Sequence, residues 1–148
     1  MPTERQKLGE RGEKYVVRMC SCPSCKRHKT LRRLTANFKC ADLVCDFCGY
    51  LAQVKTRRTE SLTEIPNRVL GGAWGVQKDR MDSGIYFPIF LVLVNSSNRY
   101  SVHYLSADLQ EPSIFVARKP LSSSAKRSGW QGFYYDFSKA SNAFVKLI

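Results

Sequence analysis

Three polar residues in the first half of the chain have the types and spacing that phosphodiester hydrolysis needs. Asp42 precedes a cysteine-bearing turn, and Gln53 and Lys55 follow it in an apolar segment. Residues two apart in a strand share a face, so Gln53 and Lys55 point the same way. Asp42 and the Gln53 carbonyl would offer oxygen ligands to Mg²⁺, which Mn²⁺ can replace, while Lys55 would orient a water and offset charge. By spacing alone such triples are common, and most are ordinary surface residues.

The cysteines suggest a second kind of chemistry. Cys22 pairs with Cys25 and Cys45 with Cys48 in two Cys-x-x-Cys motifs, with 19 residues between the pairs. Each motif places two thiolates on one turn, and four thiolates complete a tetrahedral zinc site. Gly49 permits the backbone angles of such a turn. The spacing predicts a structural zinc ribbon at about residues 20–50.

Two further cysteines, Cys20 and Cys40, are predicted to be non-ligands. Cys20 lies too close to Cys22, and in an extended segment Cys40 would point to the side of Asp42, away from the turn. The alternative, that one of them replaces a member of a pair, stays open.

Charge and hydropathy limit the class of molecule that the protein could bind. Lys and Arg number 24 against 12 acids, a formal charge of +12, which favours a polyanion and first of all nucleic acid. A merely basic surface is the alternative. No apolar run approaches the length of a membrane helix, and the first residues are not those of a signal peptide. We therefore expect no membrane partner and a cytoplasmic location.

The length of 148 residues suits a single domain over 1–148. Apolar periodicity and a Thr3–Gln6 capping box predict a helix over 3–20. A second helix, weakened by three glycines, is predicted over 67–81. Residues 21–38 and 56–66 are predicted to be polar connections, the first with room for a short strand. Strands are predicted at 38–44, 50–55, 85–94, 99–105, 114–117 and 133–137.

A basic, hydroxyl-rich segment is the predicted DNA-contacting surface. No acid lies between Glu111 and Asp136. Arg and Lys neutralise phosphates, Ser positions them, and a tryptophan can wedge or stack against a base. The alternatives are a solvated loop and a tryptophan folded into the core. The basic run 26–33 is a second candidate for phosphate contact. The predicted contacts are Arg118, Lys119, Ser122, Ser123, Ser124, Lys126, Arg127 and Trp130.

In their order along the chain these features resemble the PD-(D/E)xK nuclease superfamily and, more closely, DpnI-type restriction endonucleases of the Dam-replacing family. The matching features are the Cys-Pro-x-Cys pair, the Ala41-Asp42 step, the Cys-x-x-Cys pair three residues beyond the acid, the strand ending in Lys55, and the segment 118–132. The resemblance implies an α/β fold, with a mixed sheet of about five strands flanked by helices and an inserted four-cysteine zinc ribbon.

The resemblance also implies an activity. The implied activity is Mg²⁺-dependent endonucleolytic cleavage of double-stranded DNA, with a preference for N6-methyladenine in a GATC-like context. Asp42 takes the place of the metal-binding aspartate and Lys55 that of the catalytic lysine, and the four paired cysteines take those of the zinc ligands. Glu13 is a candidate additional acid, with a solvent-facing glutamate as the alternative.

Two departures from the family pattern favour a different interpretation. Gln53 stands where DpnI-type enzymes carry a glutamate, and a neutral amide should bind Mg²⁺ more weakly. The Mrr-like branches of the PD-(D/E)xK superfamily are similar to this chain in that they also use Gln-x-Lys. We also expect no winged-helix domain after the nuclease domain. The alternative is a protein of the same fold that reads modified DNA without cutting it. An unrelated zinc-ribbon protein of the transcription or translation machinery is a second alternative, and the oligomeric state, monomer or homodimer, stays open.

Overall fold

The computed structural model describes residues 2–35 and 41–148, which form a mixed α/β protein. The described chain divides into two compact units. The first takes residues from Met1–Glu64, Phe87–Ala107 and Phe144–Ile148, and the second takes Ile65–Tyr86 and Asp108–Ala143. None of the helices in the described part is long and apolar enough to cross a bilayer.

The regular elements alternate along the chain between the two units. The α-helices are α1 (Glu4–Met19) and α2 (Trp74–Asp82). The strands are β1 (Leu31–Arg33), β2 (Leu43–Cys45), β3 (Leu51–Arg58), β4 (Arg68–Ala73), β5 (Ile89–Val94), β6 (Tyr100–Leu105), β7 (Phe115–Ala117), β8 (Gly132–Asp136) and β9 (Val145–Lys146).

Helix α1 begins where the sequence predicts it. The Thr3 hydroxyl accepts a hydrogen bond from the Gln6 N–H at 3.2 Å, and the Gln6 side chain accepts one from the Thr3 N–H at 2.8 Å. This reciprocal pair satisfies backbone donors that the first turn would leave unpaired. The predicted capping box and the predicted first helix are confirmed.

The first unit is built on a six-stranded sheet in the order β1-β2-β3-β5-β6-β9. Among the described strands of this sheet only β3 and β5 run parallel, and Lys55 of β3 pairs with Leu91 of β5. Every residue of β5 is buried, as expected for a central strand covered on both faces. Helix α1 packs against β3 and places Val16 among the buried residues of the sheet. Mixed pairing of this kind bears out the predicted mixed sheet, with six strands instead of about five.

The second unit carries a separate antiparallel sheet of three strands in the order β4-β8-β7. Aromatic side chains form its interior: the Phe133 and Tyr135 rings meet edge to face with centroids 5.2 Å apart, and Phe115 lies within 6.0 Å of both. Tilted and edge-on rings at this spacing are favourable. A second sheet was not predicted from the sequence.

The clearest departure from the sequence prediction concerns residues 67–81. A helix was predicted there, but the first half is strand β4 and only the second half is α2. Strand β4 forms because β8 supplies its partners, with Val69 opposite Tyr135 and Leu70 opposite Tyr134. The Arg68 guanidinium also stacks over the Tyr134 ring at 4.7 Å.

Smaller differences concern strand ends. Strand β3 was predicted to end at Lys55 but continues to Arg58, because β5 offers backbone partners as far as Val94. The strand predicted at 38–44 is described only in part, and there it is the short β2. The short strand for which residues 21–38 left room is β1, paired with β2.

Candidate functional site

Four cysteines of the first unit converge on one point. All their Sγ atoms lie within 4.8 Å of one another, with Cys22 and Cys48 3.6 Å apart and Cys25 and Cys45 3.8 Å apart. A tetrahedron of thiolates around an ion about 2.3 Å from each sulfur has edges of about 3.8 Å. The cluster therefore fits a metal ion, and the residues that the structure describes contain no other group of three or more Cys, His, Asp or Glu ligands.

The two Cys-x-x-Cys turns have equivalent backbone geometry. In the second, the Cys45 N–H donates to the Tyr50 carbonyl and the Gly49 N–H donates to the Cys45 carbonyl, both at 2.8 Å. In the first, Cys22 and Lys26 make the corresponding bonds at 3.0 and 2.9 Å. Each turn needs a left-handed residue after its second cysteine, and this residue is Gly49 (φ 80°) in one turn and Lys26 (φ 66°) in the other.

The surroundings of the sulfurs bias their protonation. Burial raises the pKa of Cys22 to about 12. Burial acts in the same direction at Cys45, but hydrogen bonds from the Thr30 hydroxyl and from backbone N–H groups outweigh it and lower the pKa to about 6. Thr30 Oγ1 lies 3.2 Å from Cys45 Sγ. A cation at the centre of the cluster would hold all four groups as thiolates.

The remaining cysteines are Cys20 and Cys40. Cys20 is buried, stands outside the group of four, and has a pKa that burial raises to about 11. Cys40 lies outside the described residues.

Asp42 lies against β3 at the point between Gln53 and Lys55. Its N–H donates to the Ala52 carbonyl at 3.0 Å, which extends the β2–β3 ladder by one step. Its Oδ2 accepts the Val54 N–H at 2.8 Å. Gln53 and Lys55 are half-buried on one face of β3, and Ala52 and Val54 alternate with them and are buried.

Glu13 of α1 lines the same cleft as Asp42. Its side chain is only 22% exposed, and Arg33 Nε donates to Glu13 Oε1 at 3.2 Å. Burial raises the pKa of Glu13, and the negative charge of Asp42 raises it further, while Arg33 acts in the opposite direction. Glu13 and Asp42 thus line one cleft, and their charges interact.

The predicted DNA-contacting residues lie in the second unit, on the loop from β7 to β8. The loop closes through bonds from the Leu121 N–H to the Trp130 carbonyl and from the Gly129 N–H to the Leu121 carbonyl, at 2.8 and 2.9 Å. Trp130 is half-buried at its base, and the Arg127 guanidinium lies 4.6 Å from its ring centroid. The other predicted contacts lie at the surface: Arg118, Lys119, Ser122, Ser123, Ser124, Lys126 and Arg127.

Sequence reasoning missed three residues at these sites. Thr30 lies beside Cys45, and Arg33 contacts Glu13, but neither position has a sequence signal because both contacts join segments distant in the chain. Lys26 had a signal: it follows its Cys-x-x-Cys pair at the same interval as Gly49 follows the other.

Taken together, the fold and the sites define a mixed α/β protein with a four-cysteine cluster and a cleft lined by Asp42 and by acids of α1. A family model described as DpnI: Dam-replacing family matches residues 3–148, nearly the whole chain. The chain therefore belongs to the DpnI, or Dam-replacing, family.

Proposed function

We propose that the protein is a Mg²⁺-dependent restriction-type DNA endonuclease, directed to N6-methyladenine in a GATC-like context of double-stranded DNA. Membership of the family supports the activity. The observation that carries the site assignment is the Val54 N–H to Asp42 Oδ2 hydrogen bond, which holds the acid beside the Gln53–Lys55 pair. The antiparallel β1-β2-β3 meander with β5 parallel to β3 supports a PD-(D/E)xK nuclease-like core in the first unit, and the match of the family model to residues 3–148 supports a domain over 1–148.

In this proposal the acids of the cleft and the polar residues of β3 have separate tasks. Asp42 and the Gln53 carbonyl hold Mg²⁺, with Glu13 as an additional acid. When bound, the ion supplies Lewis acidity toward the phosphate. Lys55 orients the attacking water and offsets the charge that develops on the phosphate oxygens. The four cysteines hold a structural Zn²⁺, and the exposed residues of the 118–130 loop bind the DNA backbone.

A cleavage assay tests the catalytic assignment. Plasmid DNA with and without adenine methylation at GATC would be incubated with Mg²⁺ or Mn²⁺ and either the wild type or Lys55→Ala. We expect cutting of methylated DNA by the wild type and a loss of at least about 10²-fold in Lys55→Ala, because the charge it offsets would be uncompensated. DNA binding and thermal stability should be retained.

Lys78→Ala is the matched control, since Lys78 is an exposed lysine paired with Asp82 at 3.2 Å. It should cut at the wild-type rate. Full activity of Lys55→Ala would show that Lys55 is not catalytic.

The glutamine at position 53 favours a second candidate function, in which the protein binds modified DNA without cutting it. The amide brings no charge to the metal. If the wild type binds methylated DNA but leaves it intact, Gln53→Glu should restore Mg²⁺-dependent cutting, and the reader function would then be preferred for the wild type.

A further inference from the structure

An exposed aromatic ring stands out on the four-cysteine turns. Phe47 lies between Cys45 and Cys48 and is 61% exposed. The guanidinium carbon of Arg27, from the other turn, lies 3.7 Å from its ring centroid. Phenylalanine is among the residues most often buried. Here the Arg27 guanidinium stacks on the Phe47 ring and holds it at the surface, while most of the residue stays exposed.

Around this ring the turns present cations. Lys26, Arg27 and Lys29 are all exposed, and no acid in the described part of the chain pairs with Lys26 or Lys29. The nearby acid, Asp46, is already neutralised by Arg32 at 3.1 Å. The sequence itself has no acid from residue 14 to residue 41. We call Lys26, Arg27, Lys29 and Phe47 the knuckle surface.

Local geometry and hydrogen bonds fix the backbone that carries these side chains. Lys26 and Lys29 both have left-handed backbones, with φ of 66° and 59°, a conformation that L-residues adopt only where the surroundings impose it. The Lys29 carbonyl accepts a hydrogen bond from Arg32 Nη1 at 2.9 Å, and the Arg27 carbonyl accepts one from the Cys22 N–H at 3.0 Å. A fixed backbone under these cations loses less conformational freedom on binding a ligand than a mobile loop does.

We propose that the knuckle surface is a second DNA-binding surface, at which the three cations contact backbone phosphates and Phe47 packs against an adjacent sugar. Charge and rigidity favour a regularly spaced polyanion over an acidic protein, and the assignment rests on the proposed function of the chain. It gives the four-cysteine cluster a role beyond stability, because the cluster sets the position of a DNA contact.

The test compares two triple variants that lose the same charge. Lys26→Asn/Arg27→Gln/Lys29→Asn removes the cations and keeps, at both lysine positions, a residue that tolerates the left-handed backbone. Lys7→Gln/Lys14→Gln/Lys78→Gln removes three lysines that are each paired with an acid on a helix. Binding to duplex DNA would be measured by fluorescence anisotropy over a range of salt concentrations, with the zinc content of each protein as the check on folding.

We expect the knuckle triple to flatten the slope of log K against log salt by up to about 2.7, at about 0.9 for each phosphate that is no longer neutralised, and the control triple to leave it near the wild-type value. Phe47→Ser should weaken binding several-fold with an unchanged slope. An unchanged slope and affinity in the zinc-loaded knuckle variants, or equal flattening by both triples, would overturn the proposal. No binding by the wild type would instead refute the proposed function.

Discussion

At the scale of single residues, the first unit buries a histidine that has no part in either site. His103 is 4% exposed and its neighbour on the same face of β6, Ser101, is 2% exposed. His103 Nε2–H and the Ser101 hydroxyl donate to the Leu62 carbonyl at 3.0 and 2.8 Å. These bonds tie the segment after β3 to β6, and they pair the two buried side chains with the carbonyl of the half-buried Leu62.

His103 should make stability depend on pH. Burial lowers its pKa, the charge of Lys146 lowers it further, and the bond to Leu62 opposes both. The folded pKa lies below the unfolded value of about 6.5, so protonation favours the unfolded chain. Stability should be complete above pH 6.5 and fall as the pH drops through 6.5 toward the folded pKa.

Urea unfolding at pH 7.5 and 5.5 checks whether His103 causes this loss of stability at low pH. His103→Gln keeps an N–H donor for Leu62 but does not titrate, so its stability should fall less between the two values than that of the wild type. His28→Gln, at the exposed histidine, should retain the wild-type pH dependence. Equal pH dependence in all three proteins would contradict the assignment.

At this scale, sequence reasoning found the four cysteines that cluster, because their signal is local, and that they bind zinc stays a prediction. The four clustered cysteines could be chosen from their spacing because each turn contains its own ligand pair. The contacts of Arg33 and Thr30 could not be predicted, since they depend on how α1 and β1 pack against distant residues. That Gln53, Lys55 and Asp42 are catalytic stays a prediction.

At the scale of elements, α1 lies very close to β3 at Gly12. A Cβ on Gly12 would lie 1.8 Å from Thr56 Oγ1, so the helix can pack here only without a side chain. The Thr56 hydroxyl is buried and has no hydrogen-bond partner among the described residues. This contact sets how near Glu13, the next residue of the helix, comes to β2 and β3.

Gly12→Ala should destabilise the protein by about 1–3 kcal/mol, the usual cost of overpacking. Gly9→Ala is the matched control on the same helix, because nothing lies within 4 Å of its Cβ position; it should stabilise by about 0.5–1 kcal/mol through helix propensity. Free energies of unfolding in urea measure both effects.

A double variant, Gly12→Ala/Thr56→Ala, tests whether the Thr56 hydroxyl causes the destabilisation expected for Gly12→Ala. If the Thr56 hydroxyl is the obstacle, the double variant should be more stable than the two single costs predict. Additive costs would place the clash elsewhere.

Elements were predictable in proportion to how local their partners are. Helix α1 has its own capping box and a stripe of apolar residues at helical spacing, and β5 is apolar throughout, so both elements were predicted from the sequence. Strand β4 was mistaken for a helix because its partner β8 lies some sixty residues further along the chain. The second sheet could not be predicted without that pairing.

At the scale of the whole molecule, the four-cysteine cluster ties the loop after α1 to the β2–β3 hairpin. Chelation of the metal should lower the thermal midpoint, because binding energy of a structural ion is folding energy. Cys48→Ser should lose bound zinc and show the same lowered midpoint without chelator. Cys20→Ala, which removes a buried thiol outside the group of four, should keep its zinc; zinc loss in Cys20→Ala with retention in Cys48→Ser would reverse the ligand assignment.

The path of the chain between the two units has a consequence for synthesis. The chain leaves the first unit after Glu64, returns at Phe87, leaves again after Ala107 and returns at Phe144, and β9 joins the first sheet only then. A nascent chain therefore exposes β6 with one edge unpaired while the rest of the second unit is translated. Until β9 emerges from the ribosome, that edge is open to pairing with other chains.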